Sequence, residues 1–305
     1  MNIEKVTRDL AAIAPGGVHP CAPMRAYTSF QIGGPADILL LPGDAEQARQ
    51  AVRYLRAQQL PYIVMGNGTN LLVADAGYHG VVIHMHRAFS RITCSGTLCR
   101  AQAGVMMSKL ARQTQGQGLS GLEFAAGIPG TLGGAVAMNA GAYGGQISDV
   151  VCAIHALDAA GMPVVWQGDA LTFGYRKSPV KEGCVVLEVE MRLRRDDPQE
   201  IAARIADFQM RRAAKQPLQY PSAGSVFKRP KGHFAGALIE QAGLKGTRIG
   251  GAEVSEKHAG FIINRGGATA RDVRDLIAHI QRVVLEQSGV SLQCEVRMLG
   301  DFDEE

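Results

Sequence analysis

The 305-residue sequence lacks most of the signals that assign a function quickly. It has no Gly-Lys dipeptide, so a Walker A loop and P-loop ATPase chemistry are excluded. Gly66-x-Gly68 is followed by Leu71 where a Rossmann fingerprint would place its third glycine. No G-x-S-x-G elbow is present for a serine hydrolase. The six cysteines form no C-x-x-C pair, which argues against a zinc ribbon and against a disulfide framework. Most of them lie among apolar neighbours and read as buried thiols in a reducing compartment. His84-x-His86 places two rings on one strand face, but no Cys or carboxylate stands at ligand spacing, so no metal is expected. The net charge of +4 comes without a dense basic block, so neither nucleic acid nor a membrane surface is an expected partner. The N-terminal MNIEKVTRDLAAIAPGG has no continuous apolar stretch of the signal-peptide kind, and a cytoplasmic location is expected.

What the chain has is glycine. Gly127–Gly145, GIPGTLGGAVAMNAGAYGG, carries seven glycines, one proline and no charge. Such a run lets another body approach the backbone and leaves N–H groups free to face an anion. A second loop, Gly66–Leu71 (GNGTNL), follows a predicted strand, so two loops on separate segments suggest one phosphate-bearing cofactor gripped from two sides. Asn139, Tyr143 and Gln146 make the run a poor membrane span, and Ile128, Leu132, Val136 and Met138 are too apolar for a linker. Tight helix packing with no ligand stays open on glycine content alone.

Periodicity and capping residues predict helices over 2–13, 44–59, 106–115, 196–214, 234–241 and 269–287. Strands are predicted over 36–41, 61–65, 81–85, 150–157, 164–166, 184–193, 261–264 and 292–298, with a hairpin over 91–103 and a loop over 220–230. The order divides the chain into an α/β unit (1–88), a β-rich unit carrying the glycine run (89–198) and an α+β unit (199–305).

Seven segments in order carry a family resemblance: TSFQIGGPAD (Thr28–Asp37), GNGTNLL (Gly66–Leu72), the glycine run, FGYRKS (Phe173–Ser178), YPSAGSVFKRP (Tyr220–Pro230), KHAGFIIN (Lys257–Asn264) and LQCEVRMLG (Leu292–Gly300). Together they resemble the UDP-N-acetylenolpyruvoylglucosamine reductase family, in its shorter form without an extra substrate-covering insertion. The resemblance implies an α+β chain: a bipartite FAD-binding fold of the vanillyl-alcohol-oxidase (PCMH) type, with 1–88 and 89–198 as its subdomains, plus a C-terminal α+β substrate-binding domain over 199–305. It implies non-covalent FAD, NADPH as co-substrate, and reduction of an enolpyruvyl sugar nucleotide in peptidoglycan precursor synthesis. A monomer is expected.

The resemblance also distributes roles. FAD is assigned to Gly66, Asn67, Gly68, Thr69, Asn70 and Leu71 of the first loop. From the run it takes Gly127, Ile128, Pro129, Gly130, Thr131, Gly133, Gly134, Asn139, Gly141, Ala142 and Tyr143. Ser225 matches the family's proton donor, Arg176 its active-site arginine and Glu295 its glutamate. An arginine stays charged and can fork onto a carboxylate. Lys228 is a candidate for the substrate diphosphate, and Tyr220, His258 and Asn264 for further substrate contacts. Two other readings are another FAD oxidoreductase of the same fold acting on a small alcohol, and a flavin-binding protein without turnover.

Overall fold

The computed structural model describes residues 1–302, so the last three residues of the third predicted unit lie outside it. The chain forms two compact units, each made of discontinuous segments. The first holds Met1–Pro20, Ile38–Asn67 and Gly80–Arg212; the second holds Cys21–Asp37, Gly68–His79 and the chain from Ala213 onward. No helix among the described residues is long and apolar enough to cross a membrane.

The first unit has two cores. In one, α1 (Ile3–Ile13) and α2 (Ala45–Ala57) bury Leu10, Ala48, Ala51, Val52 and Leu55 with Ile38, Leu40, Val81 and Ile83. The 3–4 spacing of the α2 residues gives the helix one apolar face. Asp44 caps α2 by accepting from Gln47 N at 2.8 Å. The Gln47 side chain accepts from the amide of Gly43 at 2.8 Å, one residue before the N-cap amide that a capping box would use. Strand Tyr62–Met65 pairs parallel with Tyr78–His84 and so brings the GNGTN loop to the strand end.

The other core lies on a five-stranded antiparallel sheet, ordered 163–167, 151–157, 185–192, 98–102, 92–95. On it pack α3 (Met107–Gly116) and the short α4 (Leu132–Ala137), through Met107, Leu110, Leu132 and Val136. The helix after Pro198, α5 (Pro198–Lys215), taken in the sequence as the start of a third domain, buries Ile201 and Ile205 in this same core. Gly116-x-Gly118-x-x-Gly121 matches dinucleotide-loop spacing but ends a helix instead of opening one, so it is not a Rossmann turn.

The cysteine expectation fails at one place. Cys94 and Cys99 stand opposite each other in the 92–102 hairpin and form a disulfide. Hairpin register, not C-x-x-C spacing, brings them together. The remaining four are free: Cys152, Cys184 and Cys294 half-buried, Cys21 exposed.

The second unit is built on an antiparallel sheet ordered 222–225, 261–264, 252–254, 248–249. Its core gathers Phe30, Ile32 and Leu72 with Phe227, Ile239, Ile262, Leu276 and Ile280, under α6 (Ala235–Gln241) and α7 (Ala270–Ser288). A Thr269–Asp272 capping box starts α7, and Asp75 accepts from the Ala270 and Arg271 amides at 2.9 and 3.1 Å. The predicted loop over 220–230 contains strand Ser222–Ser225. The predicted final strand is regular only over Arg297–Leu299, which pairs parallel with Leu71–Val73. Before it, the amides of Glu295 and Val296 both donate to Val226 O (2.7 and 3.4 Å), a bulge that shifts the phase of alternation. Leu292, Val296 and Leu299 are therefore buried, and Met298, which strict alternation from Leu292 would put on the buried face, is 41% exposed.

Candidate active site

In the first unit the two glycine loops interlock. A Cβ at Gly66 would stand 2.0 Å from Thr131 Oγ1, and Thr131 is buried. Asn67 Nδ2 donates to Pro129 O at 2.8 Å. The first turn of α4 is stitched inward: the amides of Leu132 and Gly133 donate to Val105 O and Ala103 O, both at 2.8 Å. Gly130 O accepts from Met107 N at 3.0 Å. These bonds fix one side of the run against the sheet. At Gly134 an added Cβ would make only an ordinary contact with Thr131 Oγ1, at 3.7 Å, and at Gly144 it would meet nothing within 4 Å; both residues are exposed, so the backbone there can be approached.

The end of the run is a tight hairpin. Ala142 pairs with Gly145, and Tyr143 and Gly144 between them both have positive φ (53° and 85°), as a type I′ turn requires. Tyr143 stacks on Phe208 of α5 at 4.7 Å, with rings 5° from parallel. Asn139 also has positive φ (41°); its side chain donates to Gly174 O at 3.1 Å and accepts from Ser148 N at 3.0 Å.

Gly174 O belongs to the FGYRKS segment, so Asn139 ties the glycine run to the loop carrying Arg176. Gly174 and Lys177 exchange both backbone hydrogen bonds at 3.1 Å, leaving Tyr175 and Arg176 as a two-residue turn. Arg176 takes φ +55°, a position normally given to glycine or asparagine. Its guanidinium lies 5.2 Å from the Tyr175 ring centre, and Ser178 Oγ anchors the loop to Ala137 O at 3.1 Å. His84 and His86 stack at 5.2 Å at the end of the strand preceding this region. Burial, then His86, pushes the His84 pKa down to about 4, with a Gly66 backbone hydrogen bond acting the other way.

In the second unit, Ser225 and Glu295, 70 positions apart in sequence, come onto neighbouring backbone. Ser225 is exposed at the end of its strand opposite Phe261, and the next residue, Val226, accepts the Glu295 amide at 2.7 Å. Lys228 N donates to Gln293 O at 2.8 Å, so the Ser225–Lys228 segment lies along 293–295. Asn70, predicted to touch FAD, donates its side-chain amide to Glu295 O at 3.1 Å.

The other predicted contacts lie elsewhere in this unit. Tyr220 and Asn264 line a cavity of about 680 Å³ with Arg25, Gln31, Asp75 and Arg265, at the Ser222 end of the strand. Arg265 covers the Tyr220 ring at 4.5 Å and bonds its hydroxyl. Asn264 is buried, its Oδ1 accepting from the Gly266 and Ala268 amides and its Nδ2 donating to Phe30 O, which gives it a loop-organising role. His258 Nδ1 accepts from Gly260 N at 3.1 Å, its ring packs edge-on against Phe261, and burial lowers its pKa.

Sequence reasoning missed Arg212. It lies on α5, and a Cβ at Gly127 would stand 3.0 Å from its Cδ. The signal was the four-residue spacing from Phe208, hidden among the arginines of MRRAAK. The donor set as a whole fits FAD: interlocked glycine loops, backbone open to a ligand at Gly134 and Gly144, and a cation at the start of the run.

Comparison with known proteins agrees with these features. Residues 36–167 match the family model for an FAD binding domain, and residues 216–299 match that for the UDP-N-acetylenolpyruvoylglucosamine reductase C-terminal domain. The chain is 49% identical over 280 residues to the UDP-N-acetylenolpyruvoylglucosamine reductase of Alkaliphilus oremlandii, covering 92% of each chain. It is 45% identical to that of Clostridioides difficile, again over 92% of each. The crystal structure of the Thermus caldophilus reductase aligns with a TM-score of 0.79 at 36% identity, over 92% of this chain and 98% of that one. With relatives of this identity matched over nearly their whole length, and with the glycine loops folded as an FAD-binding domain needs, the chain belongs to the UDP-N-acetylenolpyruvoylglucosamine reductase family.

Proposed function

We propose that this chain reduces the enolpyruvyl group of UDP-N-acetylenolpyruvoylglucosamine to the lactyl ether of UDP-N-acetylmuramate, with NADPH as reductant, as a step of peptidoglycan precursor synthesis in the cytoplasm. The observation that carries the reading is the backbone pairing of Val226 with Glu295, which puts Ser225 and Glu295 on adjoining segments of one unit. The chemistry that bound FAD supplies is hydride transfer, from NADPH to the alkene CH2 carbon of the substrate.

Ser225 Oγ donates a proton to the substrate α-carbon, where charge builds as the alkene is reduced. A hydroxyl is a weak acid, but an enolate-like carbon is basic enough to take its proton, so no base beside Ser225 is required. Arg176 forks onto the substrate carboxylate, stabilising the added charge. Glu295 polarises the substrate carboxyl group, through a shared proton or a bridging water, and Lys228 neutralises the diphosphate. Gly66–Asn67 and the Gly127–Gly145 run hold FAD through backbone amides, leaving it dissociable. The sequence carries no second nucleotide fold, so NADPH and the sugar nucleotide take turns at one site and the kinetics are ping-pong.

Anaerobic absorbance spectroscopy on the FAD-loaded protein tests this. NADPH should bleach the flavin band, and the enolpyruvyl nucleotide should restore it. Equal NADPH consumption with and without the nucleotide would defeat the reading. In Ser225→Ala the bleaching rate should stay within about twofold of wild type. Recovery should slow by about 10²- to 10⁴-fold, the usual worth of a positioned proton donor.

A further inference from the structure

Arg212 occupies an unusual electrostatic position. Its neighbours on α5 are paired: Arg204 with Glu123 and Asp196, and Arg211 with Asp207. Among the described residues no carboxylate forms an ion pair with Arg212. The residue is nevertheless only partly exposed, and burial holds its pKa below the usual arginine value, with Tyr143 acting the other way. The stem is pressed on the first residue of the glycine run: a Cβ at Gly127 would meet Cδ at 3.0 Å and Nη1 at 3.3 Å. A cation kept from water without a counter-ion is costly. The C-terminal dipole of α5 compensates only about half a charge.

We propose that Arg212 is the counter-cation of the FAD diphosphate, its guanidinium donating to phosphate oxygens beside Gly127. This rests on the reading that FAD lies along the glycine run. The diphosphate is the partner of choice because it is charged in every redox state, and guanidinium matches phosphate geometry. The isoalloxazine ring gains charge only on reduction. The apoprotein therefore carries an uncompensated cation that loading with FAD neutralises.

The test uses Arg212→Met, which keeps the stem length, and Arg212→Lys, which keeps the charge. Apoproteins are titrated with FAD at two salt concentrations, their melting temperatures are measured, and the flavin midpoint potential is read in the loaded proteins. Arg212→Met should raise the FAD Kd by about 10- to 100-fold, the range for one charge-assisted hydrogen bond or a pair of them. It should also weaken the salt dependence of Kd, leave the potential unchanged, and leave the apoprotein melting temperature equal or higher. Arg212→Lys should fall between. An unchanged Kd in Arg212→Met overturns the proposal. So does a shifted potential at unchanged Kd, which would assign the charge to the ring. A lower apoprotein melting temperature in both variants makes the residue structural and also overturns it. If wild-type apoprotein fails to bind FAD, the underlying reading of the run fails instead.

Discussion

Arg176 pays a conformational cost that its neighbours do not. A side chain at φ +55° crowds its own backbone, at about 1 to 2 kcal/mol, and a turn under no other demand would place glycine there. The strain persists because Asn139 holds Gly174 and Ser178 holds Ala137, fixing both flanks. Arg176→Gly should therefore raise unfolding stability by about 1 kcal/mol while lowering turnover by at least about 10²-fold. Urea titration and the recovery half-reaction measure the two effects. Loss of stability in the variant would mean the turn needs the side chain. At this scale the sequence was informative where a motif surrounds the residue, as for Ser225 in GSVFK and Glu295 in QCEVR. It was silent on Arg212, because an unpaired charge is a property of neighbours remote in sequence.

The two glycine loops act as one element. Gly66 is glycine because Thr131 Oγ1 occupies the space of a Cβ, a constraint 65 positions away in sequence. Gly66→Ala should lower stability by about 2 kcal/mol or more, in the range of overpacked cores, and weaken FAD binding. Removing the clashing atom in Gly66→Ala/Thr131→Ala should recover part of that stability by thermal melting, and a double variant as unstable as the single one would contradict the interlock. Helix boundaries were legible because caps are local: Asp44 and Thr269 do what their spacing predicts. The strand over 292–298 was not, because one bulge at Glu295–Val296 reverses alternation beyond it, and a bulge leaves no mark in a hydrophobic pattern. The Cys94–Cys99 pair was missed for a related reason, since only the hairpin register makes the two thiols face each other.

For the whole molecule, acid sensitivity follows from groups held away from their ordinary titration. The folded state keeps His84 neutral down to about pH 4, whereas in the unfolded chain it takes up a proton near 6.5. Its folded pKa is depressed, so folding is unpenalised above about 6.5 and loses stability as pH falls toward 4, by about 3 kcal/mol at most. His86 is lowered in the same direction, by burial and then Arg87. Glu123 is pushed up by burial, but its own amide, that of Gly121, and the Arg204 and Ser120 side chains outweigh it. Its lowered pKa contributes stability that is complete above the ordinary carboxylate value and is lost as pH falls from there through its own lowered one. His84→Gln should flatten the stability profile between pH 4.5 and 6.5 in urea titrations, and an undiminished slope would assign the sensitivity to other groups. The family and the order of elements were legible in the sequence. The grouping of 21–37 and 68–79 with the C-terminal third was not, since neither segment shows in its own pattern which core it joins.

That grouping has a consequence during synthesis. Ser29 bonds the carbonyl of Ser222, 193 positions later, and Phe30, Ile32 and Leu72 complete a core whose other members emerge afterward. While the ribosome is still translating the C-terminal third, these early apolar residues have no resting place. A nascent chain halted near Arg212 would present them as bait for chaperones or proteases, and the second unit closes only once the later members of its core have emerged.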